Sequence, residues 1–375
     1  MPHRLSPISK YIFNERPMLI YVELTRCCDL ACRHCRAEAL LQHDPLEMNK
    51  EEAFQLLEDI KGFGEPMPHV VLTGGDPLKH PFVFDILEKA QDMGIGMSLS
   101  PSATKNLTEK LFKKIKDLGV QAISLSLDGA TAKTHDAFRG VPGCFDDTMR
   151  AAKLANEAGI KIQFNTLVSE NTVYELPQIY EQLKTLDGIM RWSVFFLISV
   201  GRGTALKELT PDNAEVVMRW LVSIAKEAPF AVKTTEAPHL RRVELEKAKA
   251  SHAVVTHKQP FLLQKGYGIR DGNGIMFISH QGDVYPSGFM PLKAGNIRET
   301  NIVDIYRDSE EFKLVRDPAN FTGKCGNCEY RYICGGSRAR AFASTGDPVA
   351  SDPLCAYKPH RNARKKEEEL IMEAA

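Results

Sequence analysis

Short apolar runs recur along this chain, separated by stretches in which apolar residues return every three or four positions. The runs are Leu19–Leu24, Val70–Leu72, Met97–Leu99, Ala122–Leu127, Ile160–Asn165 and Trp192–Phe196. Each is short and rich in β-branched or large apolar residues, the pattern of strands covered on both faces. The intervening stretches Lys50–Phe63, Phe82–Met93, Thr108–Asp117, Asp146–Ala158, Tyr174–Leu186 and Pro211–Glu227 are amphipathic with a helical period. Asn49 with Glu52 forms a capping-box pattern, and Thr210 before Pro211 pairs an N-cap with proline at the first helical position. Gly94, Gly119 and Gly159 stand where helices should end.

Six strand–helix units in series predict an α/β fold with a parallel sheet and right-handed crossovers over residues 15–228. A doubly wound sheet and a barrel fit this pattern equally well. Polar clusters follow the strands directly, where both folds place their sites. Residues 229–275 read as a connector or lid, with a largely polar stretch at Glu244–His257. From Gly274 the chain reads as a hairpin turning at Gln281, Gly282 and Asp283. Residues 276–358 then form a small cysteine-bearing domain, and 359–375 a charged helical tail. There is no internal repeat beyond these units and no low-complexity segment.

Of the 375 residues, 43% are apolar, enough for a substantial core. Lysine plus arginine equals aspartate plus glutamate, 48 each, so bulk charge favours neither nucleic acid nor an anionic membrane as partner. No stretch resembles a signal peptide or a membrane span, which points to the cytoplasm. Nine cysteines in that compartment read as reduced thiols or metal ligands. Four lie within residues 27–35 and four within 325–355, which suggests two metal centres; Cys144, alone between them, reads as an ordinary small buried residue.

Cys28, Cys32 and Cys35 are spaced C-x3-C-x2-C. A four-iron cubane normally takes four thiolates, so three leave one iron open to a small molecule. Zinc is the alternative and would need a fourth ligand, for which His34 and Cys27 are at hand. Downstream, Cys325-x2-Cys328-x5-Cys334 is followed after twenty residues by Cys355, a full set of four. Zinc stays open there too, since C-x2-C pairs serve it well. Thr73-Gly74-Gly75-Asp76-Pro77 follows the second strand, where two glycines let backbone approach a ligand closely.

The run Glu23–Cys35 resembles the signature loop of radical S-adenosylmethionine (SAM) enzymes. The resemblance implies an open, partial (β/α)6 TIM-like barrel. It also implies a [4Fe-4S] cluster whose open iron takes the amine and carboxylate of SAM, with reductive cleavage to a 5′-deoxyadenosyl radical. Thr73–Pro77 then matches the family's Gly-Gly-Glu motif, with Asp76 for the commoner glutamate. This assigns SAM contacts to Gly74, Gly75, Asp76 and Pro77. Ser100 and Ser102 match positions near the ribose and methionyl part, Ser126 and Arg139 the SAM carboxylate, and Asn165 and Leu197 the ribose and adenine side. The segment Gly323–Arg340 resembles the SPASM/twitch extension, whose full form holds two auxiliary clusters on seven cysteines. Two of those positions are serine here, Ser287 and Ser337, so Cys325, Cys328, Cys334 and Cys355 imply one auxiliary [4Fe-4S] cluster. Fully ligated, it would serve electron transfer or structural support.

Within the SPASM group the texture resembles the branch that completes haem by the siroheme route. Thr-Gly-Gly-Asp-Pro, Arg-Gly-Val-Pro-Gly, Ala-Pro-His and Phe-Ile-Ser-His carry that likeness. It implies hydrogen abstraction from a tetrapyrrole side chain, with oxidative decarboxylation of propionates. Basic groups suit a carboxylate-rich substrate. Arg202, Glu236, His239 and Arg241 are the candidate contacts, with Lys233, Arg242 and Lys293 near them in sequence. A reductant such as flavodoxin or ferredoxin is expected. Two other classes remain: a radical SAM maturase of a ribosomally made peptide, and a non-catalytic iron–sulfur carrier. About fifteen residues precede the first strand, leaving no room there for a peptide-recognition domain. The SAM motifs oppose the carrier, which needs no open iron.

Overall fold

The computed structural model describes residues 12–250 and 268–360. The six expected strands are present as β1 (Leu19–Thr25), β2 (His69–Gly74), β3 (Met97–Leu99), β4 (Ala122–Ser126), β5 (Lys161–Val168) and β6 (Ile189–Phe196). The connecting helices are α1 (Lys50–Lys61), α2 (Val83–Asp92), α3 (Glu109–Asp117), α4 (Ala132–Arg139), α5 (Cys144–Glu157), α6 (Leu176–Lys184) and α7 (Pro211–Ile224). The capping box at Asn49 and Glu52 forms, as does the Thr210 cap. Gly94, Gly119 and Gly159 all take positive φ at helix ends.

Two elements fall inside the expected connector. A seventh parallel strand, β7 (Ala231–Thr235), pairs with β6, and α8 (His239–Ala250) follows it. Only Val232 of this strand is buried, so its apolar signal is one residue long. The remainder of the polar stretch to His257 and the tail beyond residue 360 lie outside the described residues. α4 was likewise not expected: it is eight residues long and mostly polar, capped by Thr131 and ended by Gly140 at φ 74°.

The hairpin forms as β8 (Ile275–Ile278) and β9 (Asp283–Tyr285), with Gly282 at φ 79° in the turn. β10 (Gly295–Asn296) pairs with β9. All lie in one sheet of order β10-β9-β8-β1-β2-β3-β4-β5-β6-β7, parallel from β8 to β7. The small domain therefore shares a sheet with the larger one, and α9 (Ile302–Asp308), α10 (Glu310–Arg316), α11 (Gly323–Gly326) and α12 (Arg338–Thr345) complete it.

The sheet has two unlike faces. Ile20, Val22, Leu24, Leu125, Phe164, Trp192 and Val194 join the helices in one buried core. Their alternate neighbours Tyr21, Glu23, Ser98, Ser100, Ser126, Asn165, Arg191 and Ser193 occupy the other face. That inner face is polar, whereas the sequence pattern suggested strands covered on both sides. Small β-compatible serines blur the alternation. The sheet also curls. Tyr21 and Arg191 lie five strands apart, about 24 Å if flat, yet the phenol is within electrostatic reach of the guanidinium. No helix among the described residues is long and apolar enough to cross a membrane.

Candidate active site

The loop after β1 carries the cysteine triad across the end of the sheet. Cys28 and Cys32 are buried and Cys35 is partly exposed. Their sulfurs meet hydrogen-bond donors. The Leu30 N–H lies 3.3 Å from Cys28 Sγ and the Ala39 N–H 3.4 Å from Cys35 Sγ. Arg139 Nη1 donates to Cys32 Sγ at 3.2 Å. Cys27 faces away, with its thiol on Leu41 O at 3.3 Å. Three thiols in one short loop, each offered a donor, are chemistry suited to the thiolates of an iron–sulfur cluster.

The glycine pair locks onto this loop. Gly75 N–H donates to Thr25 O at 2.7 Å, and Asp76 N–H to Cys27 O at 2.8 Å. A Cβ on Gly74 would stand 2.3 Å from Thr25 O, and one on Gly75 2.5 Å from the carbonyls of Arg26 and Cys27. Only glycine permits that approach. Ser102 joins the two parts: its Oγ donates to Gly75 O at 3.3 Å and shares a hydrogen bond with Cys28 Sγ at 3.0 Å.

Asp76 is fixed by its own turn. It is buried and its carboxylate accepts from Leu78 N–H at 3.1 Å, capping the turn Pro77–Lys79. Burial raises its pKa to about 6. One methylene shorter than glutamate, its side chain places the carboxyl on this local cap.

Arg139 ends α4 and is fixed from two sides. Its Nε lies 2.9 Å from Asp128 Oδ2, opposite the Cys32 contact. Asp128 follows β4 and also accepts from Leu167 N–H at 2.7 Å. Burial would push the Asp128 carboxyl up, but Arg139 holds it below its ordinary value. The sequence reading offered Arg139 but missed Asp128, which stands two residues after the Ser126 it named. Ser126 ends β4 on the inner face, and Asn165 lies opposite it within β5 rather than at that strand's end, its Oδ1 accepting from Gln163 Nε2 at 2.8 Å. Ser100 follows β3 on that face. Leu197 lies in an apolar patch with Phe138, Leu167 and Leu206 at the sheet's end. Cys144 is buried, as expected of an ordinary small residue, but it packs directly on Cys28 and Cys32.

The four C-terminal cysteines converge. Cys325, Cys328, Cys334 and Cys355 line one cavity with His239, Lys324 and Tyr357. Backbone N–H groups of Asp352, Tyr330 and Gly336 each lie 3.4 Å from Cys325, Cys328 and Cys334 Sγ respectively. Gly335 and Gly336 take φ 70° and 66°, and a Cβ on Gly336 would stand 3.3 Å from Cys325 Sγ. Burial raises the Cys328 thiol to about 12 and raises Cys325 and Cys334 as well. At Cys355 burial is outweighed by His239 and then Lys324, and the thiol is lowered. Among the described residues no three His, Cys, Asp or Glu side chains converge as around a single ion. A ring of four thiols about a cavity suits a cubane.

The four candidate substrate contacts do not form one group. His239 is buried in the cysteine cavity, its Nε2 3.2 Å from Asp352 Oδ2, and so cannot face a substrate at the sheet's end. Arg241 reaches Ile333 O at 3.4 Å in the small domain. Arg202 sits on the turn Gly201–Ala205, its N–H on Cys35 O at 3.1 Å, with Nε and Nη2 buried and unpartnered. Glu236 follows β7 with φ 57° and accepts from Ser337 Oγ. Burial and the neighbouring Asp271 push its carboxyl well above the usual range.

Known proteins share this arrangement. A radical SAM superfamily model matches residues 22–183, and the SPASM iron–sulfur cluster-binding domain matches 270–329. An AdoMet-dependent heme synthase from Nitratidesulfovibrio vulgaris is 39% identical over 345 residues, 92% of this chain and 93% of the relative. A PqqA peptide cyclase from Granulibacter bethesdensis is 24% identical over 92% of this chain and 88% of its own. The crystal structure of SuiB from Streptococcus suis bound to S-adenosylmethionine matches with a TM-score of 0.71 at 21% identity, covering 92% of this chain and 78% of that one. Cysteine triad, glycine pair, four-thiol cavity and these matches agree: the chain belongs to the radical SAM superfamily, in the group that carries a SPASM iron–sulfur domain.

Proposed function

We propose that this radical SAM enzyme acts on a carboxylate-bearing tetrapyrrole, converting propionate side chains to vinyl groups. The observation that carries this reading is the 39% identity to a heme synthase over nearly the whole of both chains. Identity to the peptide cyclase is much lower, so peptide modification is the second reading.

Cys28, Cys32 and Cys35 would hold the cluster that supplies an electron to cleave SAM. The four-thiol cavity would hold an auxiliary cluster able to accept or relay single electrons. The protein's own part is placement. Asp128 fixes Arg139 at the edge of the triad, where its guanidinium suits the SAM carboxylate. Gly74 and Gly75 bring the end of β2 against the cluster loop, so their backbone lies within reach of the methionyl amine. Phe138, Leu167, Leu197 and Leu206 give an apolar surface for adenine and keep water from a reactive carbon.

The balance is simple. Abstraction of one hydrogen from the propionate carbon next to the ring leaves a carbon radical. Loss of carbon dioxide from the carboxylate and of one electron then gives the vinyl group. A carrier such as flavodoxin or ferredoxin would supply the first electron, in the cytoplasm, where unpaired thiols persist. The test is anaerobic incubation with SAM, dithionite and iron coproporphyrin III, which has four propionates. Mass spectrometry should show loss of carbon dioxide and two hydrogens per converted side chain, with one 5′-deoxyadenosine for each. An unchanged tetrapyrrole, with SAM cleaved only when a precursor peptide is supplied, would establish the second reading.

A further inference from the structure

The inner face of the sheet carries cationic groups below the cluster loop that the site above leaves unused. Arg191 on β6 and Lys233 on β7 alternate with Trp192 and Val232, which are buried in the outer core. Period-two alternation therefore turns both cations inward. Strand pairing sets Lys233 opposite Ser193, one inward position above Arg191. The contact between Ser193 Oγ and Thr235 Oγ1 at 3.0 Å confirms that these side chains share the inner face. Across the curl, Tyr21 on β1 stands within electrostatic reach of Arg191.

Arg191 is built for an anion it does not yet touch. Its Nη1 donates to Gln163 Oε1 at 3.3 Å, while its Nε is buried with no hydrogen-bond partner. A guanidinium with a buried N–H left unmade carries a cost that a carboxylate would remove. Arg191, Gln163, Lys233 and Tyr21 all keep partial exposure. Solvent therefore reaches this layer. Glu236 is an acid in reach of Tyr21, and burial with the neighbouring Asp271 raises its carboxyl well above the usual range. At the opposite end the cluster loop closes the sheet, with Ala31 and Arg33 N–H groups on the carbonyls of Arg139 and Phe138.

We propose that Arg191, with Lys233 beside it, binds a substrate carboxylate deep in the curled sheet and so selects which side chain is presented to the radical. This rests on the tetrapyrrole reading. It makes Arg191 a specificity-determining residue and gives a partner to its buried, unpaired Nε.

The test is an absorbance titration of the anaerobic two-cluster enzyme, with SAM present, by iron coproporphyrin III. Arg191→Gln should weaken binding at least about tenfold, the loss of one charge-assisted hydrogen bond. It should also flatten the salt dependence of Kd, and Arg191→Lys should fall between. Iron deuteroporphyrin, with two propionates, should lose less on the same substitution. Iron content and the spectrum of the SAM-bound cluster check that each variant is folded. Equal Kd for wild type and folded Arg191→Gln overturns the proposal. Should Arg191→Gln not fold, Lys233→Gln carries the test, and unchanged affinity there overturns it equally. Wild-type enzyme that cleaves SAM but binds no iron coproporphyrin sinks the tetrapyrrole reading itself, and this proposal with it.

Discussion

Asp128→Asn probes the residue on which the orientation of Arg139 depends. The substitution keeps the shape and the hydrogen bond from Leu167 N–H but removes the charge opposite Arg139. The side chains of Asp128 and Arg139 are only 2% and 10% exposed, so water cannot replace the lost partner. Breaking a buried pair from one side costs about 3–5 kcal/mol, and the retained hydrogen bond puts this variant near the lower end. For 375 residues the unfolding entropy is about 0.8 kcal/mol per degree. A loss of about 3 kcal/mol therefore lowers the thermal midpoint by about 4 °C. Function should suffer more than stability. With Asp128 neutral, the guanidinium is free to rotate off the cluster edge, and the contact proposed for it with the SAM carboxylate should weaken by a factor of about ten. The assay is 5′-deoxyadenosine formation against SAM concentration under dithionite, beside a melting curve of the same preparation. A variant with wild-type midpoint and wild-type KM for SAM would show that Asp128 does not position Arg139.

The remaining predictions concern the small domain. Reconstituted protein should hold roughly eight irons, two cubanes by thiolate count, and replacing Cys28, Cys32 and Cys35 by alanine should halve that and abolish SAM cleavage; zinc at the C-terminal thiols would refute it. Ser287→Ala and Ser337→Ala should leave iron unchanged. Ser337→Ala should still cost about 1–2 kcal/mol in denaturant unfolding, because Ser337 caps α12 and donates to Glu236. Cys334→Ala should cleave SAM yet fail to complete product; full product yield without the auxiliary cluster would exclude a redox role. His280 sits between Glu23 at 2.7 Å and Asp44 at 3.2 Å, whose pull outweighs burial and raises its pKa. A raised histidine contributes stability that is complete below its unfolded pKa, near 6.5, and lost as pH climbs through the folded value. The melting midpoint should therefore fall as pH rises above about 6.5, and His280→Asn should flatten that slope.

Much of this was legible in the chain because local chemistry fixes it. Cysteine spacing is set within a few residues, so both thiol sets could be read directly, as could the helix caps and the glycine stops. Contacts made across the sheet could not. Asp128 and Arg139 meet only because α4 folds back over the end of β4, and α4 has too few apolar residues to announce itself. β7 presents one buried side chain, so its register comes from pairing with β6 rather than from its own pattern. His239 and Arg241 looked like one basic group with Arg202. Both stand in the first turn of α8, which packs on the small domain, while Arg202 stayed with the cluster loop. Arg191 drew no notice, since a lone arginine in an apolar run gives no sign of which face it will take.

Of the two serines at positions where the family resemblance expects cluster ligands, Ser337 is held in a dense polar network. Its Oγ donates to Glu236 and accepts from Arg340 N–H at 3.0 Å, while its own N–H donates to Asp352 at 2.7 Å. Arg340, fully buried, then reaches Leu197 O at 3.0 Å, Glu236 O at 2.7 Å and Glu208 Oε2 at 2.8 Å. One side chain thus ties the ends of β6 and β7 to the helix beside the four-thiol cavity. A buried cation with this many acceptors is costly to disturb, because each would be left unsatisfied. Asp352 belongs to the same network and pairs with His239 in the cysteine cavity. Ser337 thus belongs to a polar joint between the ends of β6 and β7 and the four-thiol cavity. The joint fixes the position of that cavity relative to the apolar patch around Leu197.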